Sequence, residues 1–200
     1  MRSRDPFGLA LSDIRDRIRT GAAQPGQQLI VDDLARELQL SHTPVREALA
    51  FLTGQGLVVG RSGRGRGYAV APLGATELGD LYRLHADHIA FALVEAGRRG
   101  LTSAPGLDVD ATSLADQTGG YFRRLVEASG NRVLLHAHAG LSLRLHRPRV
   151  LESAVFADAI QELRGLVATA LGPELGQALR RYHRRRVARS EQIAALVEAG

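Results

Sequence analysis

The chain has 200 residues, 44% hydrophobic and 24% charged, with a formal charge of +5. It has no cysteine, which excludes disulfides, thiolate nucleophiles and cysteine-bound metal. No uncharged apolar run approaches the ~18 residues that cross a bilayer, and MRSRDPFGLA lacks the apolar core of a signal peptide.

These features predict a soluble cytoplasmic protein with no membrane partner. All 26 basic residues are arginine, the better side chain for phosphate and guanine contacts. The positive balance permits nucleic-acid binding without proving it.

In chain order, Leu9, Ile14 and Ile18 form a helical stripe that ends at Gly21. AQPGQQL then reads as a Pro-Gly turn, and Leu29–Val31 as a short extended piece. Asp32 and Asp33 suit a helix start, and Leu34, Ala35 and Leu38 give that helix an apolar face. The next stretch, LSHTPVREALAFLTGQGLV, has a proline inside a helical pattern. Capping by Ser41 or Thr43 would place Pro44 in the first turn, where a missing N–H costs little. The space between Leu38 and Ser41 allows only a tight turn, so the two helices read as a helix-turn-helix.

Such a motif presents the leading end of its second helix to the major groove. Val45, Leu49 and Leu52 then face inward, and His42, Thr43 and Arg46 project outward. Arg36, Ser41 and Pro44 complete the expected DNA-facing set on the helices. Next, LVV reads as a strand, GRSGRGRG as a tight loop and YAVA as a returning strand. Arg61, Arg64 and Arg66, with Gly65 among them, suit a wing whose arginines enter a narrow minor groove. The loop taken alone is equally well a solvated turn.

The composition changes near residue 72, giving an expected boundary between domains 1–73 and 74–200. The second part predicts helices over about 75–99, 111–128, 131–146, 152–171 and 174–198. His85 and His88 share a stripe with Leu78, Leu81 and Ala92. His138 lies with Leu134, Leu141 and Leu145, and His183 with Leu179, Val187 and Ala194. These four histidines read as core residues bonded to carbonyls or carboxylates, as the lining of a pocket for an anionic small molecule, or as a rearranged metal site. LRRYHRRRVARS carries six arginines between Arg180 and Arg189 and reads as a solvated face, with a DNA-backbone contact or a salt-bridge surface as alternatives. The sequence contains no G-x-S-x-G, Walker loop or paired carboxylates near a base, so an enzyme is not expected.

The Pro25-Gly26 turn, DLARELQLSHTPVREALAFLTGQGLV and GRGYAV together resemble the GntR family of bacterial transcription regulators. The resemblance implies a winged helix that binds an inverted repeat of double-stranded DNA as a homodimer. Arg46 resembles the family's arginine in the third helix. His42 stands where many relatives carry arginine, and Asp32 where some carry a DNA-contacting arginine.

DLYRLHADHIAFALVEAG and YFRRLVEASGNRVLL are similar to the all-helical effector domain of FadR-type members, many of which hold a divalent metal through one aspartate and three histidines. Here the aspartate position falls on Thr118, the first histidine on Phe122 and the second near Arg164, leaving His183. No metal or other cofactor is therefore expected.

The expected fold is mainly α: an N-terminal winged helix-turn-helix domain followed by an all-α bundle for effector binding and dimerisation. The expected function is a DNA-binding transcription regulator modulated by a small anionic metabolite. The alternative is a helical domain that serves only dimerisation or protein interaction.

Overall fold

The computed structural model describes residues 5–61, 67–103, 106–107, 109 and 113–199, with Arg61 described in its backbone only. The chain is mainly helical and divides into two compact units, residues 1–73 and 74–199.

In the first unit, α1 (Pro6–Thr20) starts on a proline and ends on Gly21, whose φ of 82° suits glycine. Its buried stripe is Ala10, Ile14 and Ile18. Leu9 is exposed, contrary to the expected stripe, because the five-residue step to Ile14 turns the helix by about 140° from alignment.

The first strand, β1 (Gln28–Leu29), is shorter than the expected extended piece, because Val31 already opens α2 (Val31–Leu38). Gln39 closes α2 in the left-handed region at φ 55°, where its N–H and that of Leu40 return to the carbonyls of Arg36 and Ala35. This turn leads into α3 (His42–Gly54). Ser41 occupies the N-cap position but its side chain makes no capping bond, and Thr43 already lies inside the helix. Pro44 is the third helical residue, still among the amides that have no intrahelical acceptor.

Two further strands, β2 (Val58–Arg61) and β3 (Gly67–Val70), complete an antiparallel sheet of order β1-β3-β2. Leu29 faces Tyr68, Val59 faces Ala69 and Arg61 faces Gly67 across it. Val45, Leu49 and Leu52 of α3 are fully buried beneath this arrangement, each such side chain contributing about 1.5–3 kcal/mol.

The second unit begins with α4 (Ala75–Arg98), followed by α5 (Leu114–Ala128) and α6 (Arg132–Arg144). Asn131 caps α6 by accepting from the Leu134 amide at 2.9 Å. A short helix α7 (His146–Leu151) fills the expected break before residue 152, and the expected helix over 152–171 is instead a 3-10 turn at Glu152–Ala154 followed by α8 (Ala159–Ala168). The expected helix over 174–198 is broken at Arg189 into α9 (Pro173–Ala188) and α10 (Ser190–Ala199), which folds back onto α4 and α7. The core joins Tyr121, Phe122, Leu125 and Val126 of α5 to Ile89 and Ala92 of α4 and to Leu175, Leu179 and Tyr182 of α9. Among the described residues no helix is long and apolar enough to cross a membrane.

Candidate nucleic-acid interface and a buried histidine centre

The helix-turn-helix presents Ser41, His42, Thr43 and Arg46 at the exposed leading end of α3, with Pro44 half-buried behind them. Their direction follows from the inward anchoring of Val45, Leu49 and Leu52 on the same helix. Arg46 has no hydrogen bond or ion pair among the described residues. His42 Nε2 lies 3.5 Å from Asp32 Oδ1, tying the start of α3 to α2, and Arg36 pairs with Asp33 at 3.1 Å. Arg17 is held by Asp13 at 2.5 Å and Glu37 at 2.6 Å, so it serves the fold. The Arg61 backbone ends β2; its side chain and the candidate wing residues Arg64, Gly65 and Arg66 lie outside the described residues.

In the helical unit the four histidines of the three stripes converge unequally. His183 Nδ1 donates to the Leu179 carbonyl at 2.7 Å, so its Nε2 must accept. It accepts from His85 Nδ1 at 2.7 Å, which leaves His85 Nε2 to accept from Arg149 Nη2 at 2.9 Å. Both tautomers are thereby fixed, in a relay running from a guanidinium to a carbonyl. Phe122 meets the His85 ring edge-to-face at 4.6 Å.

The ring of His138 lies 5.0 Å from that of His85, and both its nitrogens are buried without a partner among the described residues. His88 is half-buried and stands 6.2 Å from His138. Burial, and then the nearby Arg149, lowers His138 to about 3. Burial likewise lowers His183 to about 4, and His85 falls well below the usual histidine range for the same reason.

This set does not suit a divalent ion, which needs several free lone pairs converging at ~2.0–2.2 Å. The accepting nitrogens of His85 and His183 are already occupied by N–H donors. Thr118 and Phe122 are buried in α5, and Arg164 points elsewhere, to the Val109 carbonyl at 3.3 Å. Among the described residues no group of three or more histidines and carboxylates is placed to hold a metal.

Arg149 was not singled out in the sequence, because it sits beside Pro148 in a six-residue helix with no periodicity to mark an inward face. The arginine run also needs correction as a single solvated face. Arg180, Arg181 and Arg184 are exposed, but Arg185 pairs with Asp158 at 2.7 Å and Glu162 at 2.9 Å. Arg186 is 1% exposed and meets Glu152 at 2.8 Å and Glu162 at 2.7 Å. Tyr82 donates to the same Glu152 at 2.6 Å, knitting α4 and α9 to the 3-10 turn.

Residues 10–67 match the family described as bacterial regulatory proteins, gntR family. An uncharacterized HTH-type transcriptional regulator from the TAR-I ttuE-ttuC' intergenic region of Agrobacterium vitis is 35% identical over 92 residues, 46% of this chain and 51% of that protein. The chain thus spans about half the length of this curated relative. A structure described as a GntR transcriptional regulator from Rhodococcus sp. RHA1 superposes with a TM-score of 0.72 at 18% identity, over 94% of this chain and 97% of that one. E. coli McbR/YncC superposes with a TM-score of 0.63 at 19% identity, over 98% of each chain. At these identities the likeness concerns the fold.

Proposed function

We propose, from the premise that residues 10–67 are a GntR-family helix-turn-helix segment, that the chain is a sequence-specific DNA-binding transcription regulator. It acts as a homodimer on an inverted repeat of double-stranded DNA. The leading end of α3 reads base edges through Arg46, with His42, Thr43 and Ser41 beside it. Arg36 and the wing arginines Arg61, Arg64 and Arg66 contact the backbone or the minor groove, where Gly65 permits close approach. The observation that carries this reading is Arg46, exposed and without an acidic partner among the described residues, at the leading end of a helix whose opposite face buries Val45, Leu49 and Leu52.

In vitro selection of bound DNA by the full chain tests it. The expected result is one enriched inverted repeat, bound less tightly as salt rises, because several arginines displace counterions. Enrichment of no sequence would refute specific recognition.

The helical unit carries effector sensing in this reading, with His85, His88, His138 and His183 around the effector and no metal. The second reading, a helical unit that only dimerises or binds protein, is favoured by the closed hydrogen bonding of His85 and His183. A shift of melting temperature with a metabolite separates the two.

A further inference from the structure

Helix α4 runs for 24 residues and carries two stripes. Leu78, Tyr82, His85, Ile89, Ala92 and Ala96 recur at steps of four and three, and all are buried. The same rhythm displaced by two residues gives Asp80, Leu84, Asp87, Phe91, Val94 and Arg98. Two residues turn a helix by about 200°, so this second stripe lies on the opposite side. Its apolar members are open: Leu84 is 49% exposed, Phe91 47% and Val94 53%. Scattered exposed apolar residues are ordinary, but three on one alternating four-three seam follow the pattern by which helices pair.

The charges along this side have an order of their own. Near each end an acid is followed three residues later by an arginine, Asp80 by Arg83 and Glu95 by Arg98, each paired at 2.6 Å. Exposed pairs of this kind add little to the fold. Across an antiparallel copy of the same helix they become complementary. A two-fold axis level with Ile89 relates positions equally far on either side of it. Asp80 then faces the partner subunit's Arg98, and Arg83 the partner subunit's Glu95. Between them Leu84 faces the partner subunit's Val94. Asp87 faces the partner subunit's Phe91, whose ring edge is the positive end of its quadrupole. Each contact occurs twice, as a two-fold interface requires. Asp87, the one polar residue in the middle of the seam, fixes the register at a cost in stability.

We propose that the outer seam of α4 is the homodimer interface, covered by α4 of a second copy running antiparallel about an axis level with Ile89. The proposal rests on the homodimer reading above and gives that reading its surface.

Sedimentation equilibrium of the full chain over a micromolar concentration series tests it. Phe91→Glu should raise the dimer dissociation constant at least a hundredfold, because an aromatic anchor is lost once from each copy and an acid is set against Asp87. Its far-UV helix signal should stay native, since the side chain is half open to solvent. Two charge variants test the register. Asp80→Arg with Glu95→Arg leaves only positive charges at both ends of the seam, and Arg83→Glu with Arg98→Glu only negative ones. Each alone should be monomeric at concentrations where the native chain is dimeric, and an equal mixture should form a one-to-one dimer.

A native dimer that Phe91→Glu leaves at native affinity overturns the seam and leaves the homodimer reading standing, with the seam free for another protein. A native chain that is monomeric, both alone and on the operator, removes both. Charge variants that each pair with themselves, or that fail to pair when mixed, refute the antiparallel register. Should Phe91→Glu lose its helix signal, the charge variants, all at solvent-accessible positions, decide alone.

Discussion

Arg46 and His138 are single side chains whose surroundings set their behaviour. Arg46 projects from α3 without an acidic partner among the described residues, whereas Arg36 on the preceding helix is engaged by Asp33 at 3.1 Å. An arginine that reads guanine should cost about 1–3 kcal/mol when truncated, and only on the cognate site. Arg46→Ala is expected to show this in titrations of the selected operator against scrambled DNA. An equal loss on both would make it a phosphate contact, and no loss would remove it from the interface. His138 bears on stability. Burial and Arg149 hold it neutral to about 3, while in the unfolded chain it takes up a proton near 6.5. Between these values the unfolded state binds more protons, so stability is complete above about 6.5 and falls as pH drops toward 3. At pH 5 the loss is about 2 kcal/mol for this one residue. Denaturant melts at pH 7 and pH 5 should therefore differ less in His138→Phe than in the native chain; equal differences would show that His138 is protonated in the fold.

At the scale of elements, the turn between α2 and α3 sets the angle between the two helices through one strained residue. Gln39 adopts φ 55°, a region that costs a side chain with a Cβ roughly 1 kcal/mol. Gln39→Gly should stabilise the chain by about 0.5–1 kcal/mol in denaturant melts while leaving operator affinity unchanged; destabilisation would mean the side chain makes a contact that outweighs the strain. Elements with a local signature were legible in the sequence. Val45, Leu49 and Leu52 recur at helical spacing, and Pro44 marked the start of α3 to within two residues. The inward histidine stripes were legible for the same reason. The break at Arg189 was not, because neither glycine nor proline stands there, and α10 turns back through packing onto α4 and α7. Which histidines would meet was equally hidden: His85 and His183 are 98 positions apart, and their relay is closed by Arg149, which no periodicity announced.

For the whole molecule, the demands of DNA symmetry bear on assembly. One recognition helix covers only a few base pairs, too few to single out a site, whereas two-fold pairing doubles the readout and matches an inverted repeat. The expected particle is a homodimer joined mainly through residues 74–199, with half-sites one helical turn, about 34–36 Å, or a multiple of it apart. Joining two modules gains a factor of roughly 10²–10⁴ through effective concentration. Removing one half-site from the selected operator should therefore weaken binding at least a hundredfold, and residues 1–73 alone should sediment as a monomer and bind the full operator no better than a half-site. Sedimentation of the full chain at micromolar concentration, alone and on the operator, checks both points. A single chain bound at full affinity to one half-site would mean that α3 and the wing suffice, and that the helical unit serves something other than pairing.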